Sequence, residues 1–339
     1  MPPLTVGAAA SNSDVFGRAG NTNILDLGAD ALMGAGSGTG VVSIAGAGTQ
    51  LYGSESGSGT LNVSIGAAKA LVFGLNNNTT VDASNAAATG ALVFGGFSSV
   101  AADNGSLSIQ GGQDFLVAVT GGDNSTINAG SGGLYAYIGT GSLAGSNLIN
   151  GSSASLLYVA FIGGAGSATV FGGEAAASVF GVDGTDATYV NTLAGAPGAY
   201  LVGNGSAAGD ETLNAAGSTT NDSLFAAQGN VSLVAGSGND LLSAGDATGG
   251  DTMVGGSGAD LMLFTHGTFT GTAVVINFSS ADTIFLSGYN AAAGGNQANM
   301  ALADATQAGG DTTIALADGT HITFVDATTA QLQGHLFST

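Results

Sequence analysis

The chain of 339 residues has no cysteine, no tryptophan, three prolines and only two basic residues, Arg18 and Lys69, against 23 acidic ones. Without cysteine there are no disulfides, no thiolate metal sites and no thiol nucleophile. A formal net charge of -21 leaves no residues from which a basic patch could form, so neither nucleic acid nor an anionic membrane surface is expected as a partner. No apolar run approaches the roughly 18 residues of a spanning helix. The opening stretch MPPLTVGAAASNSDVFG lacks the basic region and apolar core of a cleaved secretory leader, and none is expected there.

Catalytic signatures are missing as well. The three histidines, His266, His321 and His335, belong to no H-E-x-x-H sequence, there is no G-x-S-x-G elbow, and no glycine-rich stretch runs into G-K-[ST]. The acid pair Asp210-Glu211 falls in phase with other turn aspartates, Glu211 matching Asp251. No enzyme is expected.

What the chain does contain is glycine, 61 residues of it, with 44% hydrophobic residues. That combination predicts many short strands joined by tight turns. The stretch Ala235 to Phe264, AGSGNDLLSAGDATGGDTMVGGSGADLMLF, holds three tandem units, each with an aspartate before an apolar pair. Gly255, Gly256, Gly258, Asp260 and Met262 fit the nonapeptide G-G-x-G-x-D-x-U-x, where U is apolar. Ala235, Gly236, Gly238, Asp240 and Leu242 fit it with alanine first, and the middle unit carries two extra residues before Asp251. Glycines are expected to supply positive φ and bare carbonyls in the turn, the aspartate a carboxylate, and x-U-x a short strand with U inward.

On these residues the chain resembles the RTX, or haemolysin-type, family of secreted calcium-binding β-rolls. The resemblance implies that stacked turns share Ca2+, through Asp222, Gly236, Gly238, Asp240, Asp251, Gly256, Gly258 and Asp260. Shared ions need aspartates about 18 residues apart, and Asp222 and Asp240 are 18 apart, Asp240 and Asp260 20 apart. It further implies one-step type I export from a Gram-negative cell, read from an uncleaved C-terminal signal in the tail QLQGHLFST, and a secreted, extracellular or cell-surface location.

Followed through the chain, the U position predicts an all-β fold: a right-handed parallel β-roll or β-solenoid with two strands per roughly 20-residue coil. One column runs through Leu32, Leu51, Val72, Val93, Leu116, Tyr135, Tyr158, Val179, Val202, Leu224, Leu242 and Met262. The other runs through Val42, Leu61, Val81, Leu107, Ile127, Leu148, Val170, Val190, Leu213, Leu233 and Met253. Flanks of the first column are apolar, and Phe73, Phe94, Val117, Val159, Phe180 and Phe225 are expected on an outer assembly face. Flanks of the second are hydroxyls and amides, among them Thr60, Asn62, Thr80, Thr126 and Asn128. Three regions are expected: an N-terminal arm or cap at 1–21, the solenoid at 22–264 with its clearest calcium-type repeats at 209–264, and a non-repetitive C-terminal β unit at 265–339 with a hairpin turning at Asp318-Gly319. The functional expectation is a secreted calcium-binding structural protein that assembles with other copies of itself into an extracellular layer or fibre, through the apolar face, the coil ends or both. The alternative is an ice-binding, adhesin or carbohydrate-binding solenoid that meets ice or a cell-surface glycan through its Thr/Ser/Asn sheet.

Overall fold

Strand Thr60–Ile65 shows how a coil begins: Leu61, Val63 and Ile65 are buried while Thr60, Asn62 and Ser64 face solvent. Period-two alternation of this kind makes a strand with one wet face. The computed structural model describes residues 4–7, 11–16, 22–35, 38–53, 59–74, 78–85, 88, 90–95, 107–111, 116–120, 125–138, 145–151, 154–161, 166–173, 176–180, 185–191, 198–203, 210–226, 228–245, 250–267 and 271–339. The chain divides into two compact units, 1–170 and 171–339. In each, a strand of one sheet, a corner and a strand of the other sheet alternate, and strands pair in parallel with the next but one in sequence. Each unit is a β-solenoid.

In the first unit, strands such as Thr22–Asp26, Gly40–Ile44, Thr60–Ile65 and Asn78–Asp82 stack in the polar-faced sheet. Their registers place Ile24, Val42, Val63, Val81, Ile109, Ile127 and Ile149 in one inward column, all within 3% exposure. Every member is β-branched, and such side chains pack well along a pleated surface. The apolar-faced sheet contains Leu32–Gly34, Gln50–Tyr52, Leu71–Phe73, Ala91–Gly95, Gly133–Ile138 and Leu156–Phe161 among its strands.

The structure corrects several sequence expectations in this unit. The arm expected at 1–21 already carries the strands Leu4–Val6 and Asp14–Phe16, each paired in parallel with the following coil. Leu51, Val72 and Val93 point inward as expected, but Met33 does so in place of Leu32. Likewise Ala136 and Val159, not Tyr135 and Tyr158, fill the core. The tyrosines turn outward, where their hydroxyls can reach water. Val159, expected on the assembly face, is therefore fully buried. In the other sheet Ile149 is buried and Leu148 is exposed. A one-residue slip reverses a whole strand, and strands apolar on both faces carry no polar mark to prevent it.

In the second unit most inward side chains are not β-branched: Leu213, Leu233, Met253, Val275 and Phe324 in one sheet, and Val179, Leu201, Leu224, Leu242, Met262, Ile284 and Leu336 in the other. Leu201 takes the place expected for Val202. Strand Gly166–Gly172 spans the division between the units. Parallel pairing continues past Phe264, through Thr272–Ile276 and Thr283–Ser287, so the solenoid extends beyond its expected limit. These strands keep the alternation although their connecting turn, 277–282, has no glycine. Asn277 supplies the left-handed residue there, at φ 62.

Residues after Ser287 finish the stack. His321–Phe324 and Leu336–Ser338 each add one parallel strand, and Asp311–Ala315 returns antiparallel to His321–Phe324 around Asp318-Gly319, as expected. Short helices cover this end: Tyr289–Ala293, Gln297–Ala303 and Thr329–Leu332, the last closed by a capping box between Thr328 and Gln331. The buried Tyr289 donates its hydroxyl to Asp318 Oδ2 at 2.8 Å, and Asn290 Nδ2 donates to the Ser338 carbonyl at 2.9 Å. The tail, where the resemblance places an export signal, is thus the last strand of a sheet. Among the described residues no helix is long and apolar enough to cross a membrane.

Candidate functional site

The residue just before each strand of the apolar-faced sheet points into a corner of the coil. In the second unit four successive coils place Asp222, Asp240, Asp260 and Asp282 there, all at most 2% exposed, after a coil that places Ala199. Three of the four were expected from sequence. Asp282 was not, because its turn lacks the glycines, although Asp282-Thr283-Ile284 repeats the D-x-U spacing.

Each carboxylate meets backbone one coil earlier. Asp240 Oδ1 accepts the Asp222 N–H at 2.7 Å, Asp260 Oδ1 the Asp240 N–H at 2.9 Å, and Asp282 Oδ1 the Asp260 N–H at 3.0 Å. At the head of the column Asp222 Oδ1 accepts the Ala199 N–H at 2.6 Å. The second oxygen turns to its own turn: Gly236 N–H for Asp240 and Gly256 N–H for Asp260, both 2.8 Å, and Ser279 N–H for Asp282, 2.7 Å. Outside this column the Asn221 and Asn239 side-chain oxygens accept the N–H groups of Asn239 and Ala259, both at 2.9 Å.

Glycine is required here for a reason other than the expected one. Gly236, Gly238, Gly256 and Gly258 have no positive φ, but successive turns lie against each other. A Cβ on Gly256 would run into the Gly236 carbonyl oxygen, and one on Gly258 into that of Gly238; Gly236 and Gly238 meet Ser218 and Thr220 in the same way. Removing Cβ is what permits that approach.

Asp251 lies at the opposite corner, 1% exposed, accepting N–H groups from Gly245 at 3.0 Å and Val231 at 3.3 Å. Val231 registers with the buried Glu211, which confirms the phase relation between Glu211 and Asp251. Burial raises the pKa of Asp251 to about 6, against the pull of those two N–H groups. Burial raises Asp222, Asp240 and Asp260 too, with mutual repulsion adding to it at Asp240 and Asp260.

Four buried carboxylates at one-coil spacing repel one another, and neither basic residue of the chain belongs to this unit. The ligands that these carboxylates could offer are oxygen, which a hard cation prefers. Charge and donor chemistry therefore fit Ca2+, although the N–H groups already occupy one lone pair on most of the carboxylate oxygens. Among the described residues no three His, Cys, Asp or Glu side chains gather into a metal cluster, so backbone carbonyls or water would have to complete any coordination.

The other expected site is the outer side of the apolar-faced sheet. In the first unit Phe73 stacks on Tyr52 with ring centroids 4.7 Å apart, and Tyr158 lies 5.2 Å from Tyr135 and 6.0 Å from Tyr137. In the second, Tyr200 sits between Phe180 at 5.8 Å and Phe225 at 5.3 Å. The side chains of Phe94 and Val117 lie outside the described residues. Tyr200, Leu261 and Phe337 remain 38–48% exposed on this face. No family model matches the chain and no curated protein matches it either, so the reading of both sites rests on their geometry.

Proposed function

We propose that the chain is a structural solenoid, secreted before it folds, whose acidic corners are neutralised by calcium and whose copies associate through the apolar-faced sheet. The observation that carries this reading is the column of buried aspartates with no basic side chain in its unit. Such a column favours a bound cation in the folded state. In the unfolded chain the same carboxylates are solvated and far apart, so calcium acts as a folding ligand, worth about 2.7 kcal/mol at a hundred times its Kd. Inside a cell, where calcium is scarce, the chain stays loose enough to export. Outside, calcium completes the fold and lowers the charge that keeps copies apart.

Association is supported by the outward aromatics. In each unit rings stack coil on coil in strands that carry no charge, and apolar surface of this kind marks contact surfaces. Catalysis has no support from any motif or cluster. The polar columns of the first unit give the alternative reading its one favourable observation: Asn62, Thr80 and Ser108 register side by side and are exposed. Leu148, exposed in the same column, breaks the array.

Electron microscopy and sedimentation of the purified chain, with several millimolar calcium and with chelator, test the proposal. Ordered layers or fibres that form with calcium and dissolve in chelator are expected; a monomer at high concentration in both conditions refutes the assembly half of it.

A further inference from the structure

The rungs of the aspartate column are not equivalent. At Asp240, Asp260 and Asp282 both carboxylate oxygens receive N–H groups. At Asp222 only Oδ1 does, from Ala199, while Oδ2 is buried with no hydrogen-bond partner in a side chain only 2% exposed.

The cause lies in the length of the turn. Between strands, the corners that lead to Asp240 and Asp260 hold the six residues 235–240 and 255–260, and the residue four before the aspartate is a glycine whose N–H is free to donate to it. The corner that leads to Asp222 holds eight residues, 215–222. Its two extra residues fold back, and the N–H in the same place, on Ser218, donates to the Ala215 carbonyl at 2.8 Å instead. What stands near Asp222 is the Ser218 hydroxyl, itself 3.3 Å from the Thr220 carbonyl oxygen and 3.2 Å from the Thr220 hydroxyl. The head of the column thus combines a carboxylate oxygen that no N–H group reaches with hydroxyl and carbonyl oxygens, the Ser218 hydroxyl itself accepting the Thr220 N–H at 3.2 Å.

The turns lie close all along the column, at the head as well, where a Cβ on Gly198 would run into the Asn221 carbonyl, and further along the space between them is already used by hydrogen bonds. The Gly236 carbonyl accepts the Ser257 N–H at 3.2 Å and the Ser218 carbonyl accepts the Ser237 N–H at 2.9 Å. The Cα atoms of Gly256 and Gly258 pack directly over the carbonyls of Gly236 and Gly238. An ion with ligand distances of about 2.4 Å to both neighbours would have to part these turns.

We infer that one hard divalent cation, calcium by the oxygen character of its ligands, binds at the head of the column on Asp222 Oδ2 and the Ser218 hydroxyl, while Asp240, Asp260 and Asp282 serve as ion-free acceptors of backbone N–H groups. This rests on the calcium reading above and narrows it from a ladder of shared ions to a single site. The sequence pattern most like a calcium repeat, at Asp240 and Asp260, then marks the coils that need calcium least.

Direct counting of calcium decides the matter. The full chain, stripped with chelator, is titrated with calcium alone at neutral pH by calorimetry, and bound ions are counted by equilibrium dialysis. One ion per chain is expected. Asp222→Asn should reduce binding to background, and Ser218→Ala should weaken it by roughly 10–100-fold, the range seen when groups that support a metal site are lost. Asp240→Asn and Asp260→Asn should keep one ion with little change in affinity while lowering thermal stability. Should Asp222→Asn fail to fold, Ser218→Ala carries the test, since it leaves the carboxylate in place and takes away only the Thr220 N–H acceptor. Two or more ions, with one lost in each of Asp240→Asn and Asp260→Asn, would overturn the single-site inference and leave the calcium reading standing. A folded chain that binds no calcium would overturn both.

Discussion

The two units turn the same corner with different residues in the same slot. Before strands of the apolar-faced sheet, the first unit places Ala31, Thr49 or Ala70 where the second, after Ala199, places Asp222, Asp240, Asp260 and Asp282. The backbone ladder through the slot is the same: Gln50 and Leu71 donate to the Ala31 and Thr49 carbonyls at 2.8 Å, as Leu241 and Leu261 donate to those of Asp222 and Asp240 at 2.9 and 2.8 Å. The first unit makes its turn with left-handed residues one before the slot, Asp30, Gly48 and Lys69 at φ 54, 74 and 56. The second repeats over successive coils what the first does at Gly46, Gly28 and Asp26: glycines stack and a buried carboxylate collects the N–H groups left over. Neutral corners need no counterion, whereas acidic corners gain hydrogen bonds to a charged acceptor and take on a column of repelling charges. The acidic column should therefore make the second unit respond to pH and cations more strongly than the first.

The largest effect should come from closing the space between acidic turns. Gly256→Ala puts a methyl onto the Gly236 carbonyl and should cost about 3 kcal/mol or more, or prevent the C-terminal coils from forming. Gly90→Ala in the first unit, whose added Cβ would meet open space, should cost only the strain of its φ of 62, about 1–2 kcal/mol. Chemical denaturation of both variants checks the contrast, and equal losses would show that close approach of the turns costs no more than a left-handed φ.

Exchanging the slot comes next. Asp260→Ala strips the acceptor from the N–H groups of Asp240 and Gly256 and should cost about 2–4 kcal/mol. Ala70→Asp, the reverse change in the neutral unit, should destabilise by a similar amount, because it buries a carboxylate where the turn already has its hydrogen bonds. A neutral or stabilising Ala70→Asp would mean that the two corners are interchangeable.

Acidity separates the units with opposite signs. Asp251 has a folded pKa of about 6 against an ordinary value of 3.8, so its contribution to stability is complete below 3.8 and is lost as the pH rises through 6. Asp222, Asp240 and Asp260 shift in the same direction, also through burial. In chelator the second unit should gain on the order of 2 kcal/mol as the pH falls from 7.5 to 5, an effect that calcium at neutral pH replaces. The exposed Asp82 of the first unit is held below its usual range by the Ser84 hydroxyl and N–H. Its small contribution is present above 3.8 and is lost on acidification. Hydrogen exchange resolved by unit, in chelator at a series of pH values, measures both slopes.

The smallest effect on stability belongs to the outer faces. Tyr200→Ser or Phe225→Ser should change folding stability by less than about 1 kcal/mol, yet shift sedimentation toward monomer in calcium. Thr80→Val on the polar face should alter neither quantity, and a change in ice or glycan binding with that substitution would favour the alternative reading.

Much of this architecture is legible in the sequence where chemistry alternates sharply. Leu61-Asn62-Val63-Ser64-Ile65 can sit only one way, and the spacing of Asp222, Asp240 and Asp260 is enough to place them in one column. Legibility fails where both flanks are apolar. In Leu134-Tyr135-Ala136-Tyr137 the larger residues look like core, yet the small Ala136 lies inside and the tyrosines outside. Asp282 escapes notice for a different reason: its turn uses Asn277 and serines in place of glycine, so only the D-x-U remnant announces it.

Sequence alone therefore determined the coil length, the parallel stacking of two sheets and the phase of the carboxylates, since period-two alternation and turn residues act within a few positions of themselves. Only the tertiary structure decided which side of an apolar strand faces in, why the turn glycines tolerate no side chain, and that the aspartates meet N–H groups of the preceding coil. Those outcomes depend on backbone about twenty residues away, brought within hydrogen-bond distance by the stacking itself.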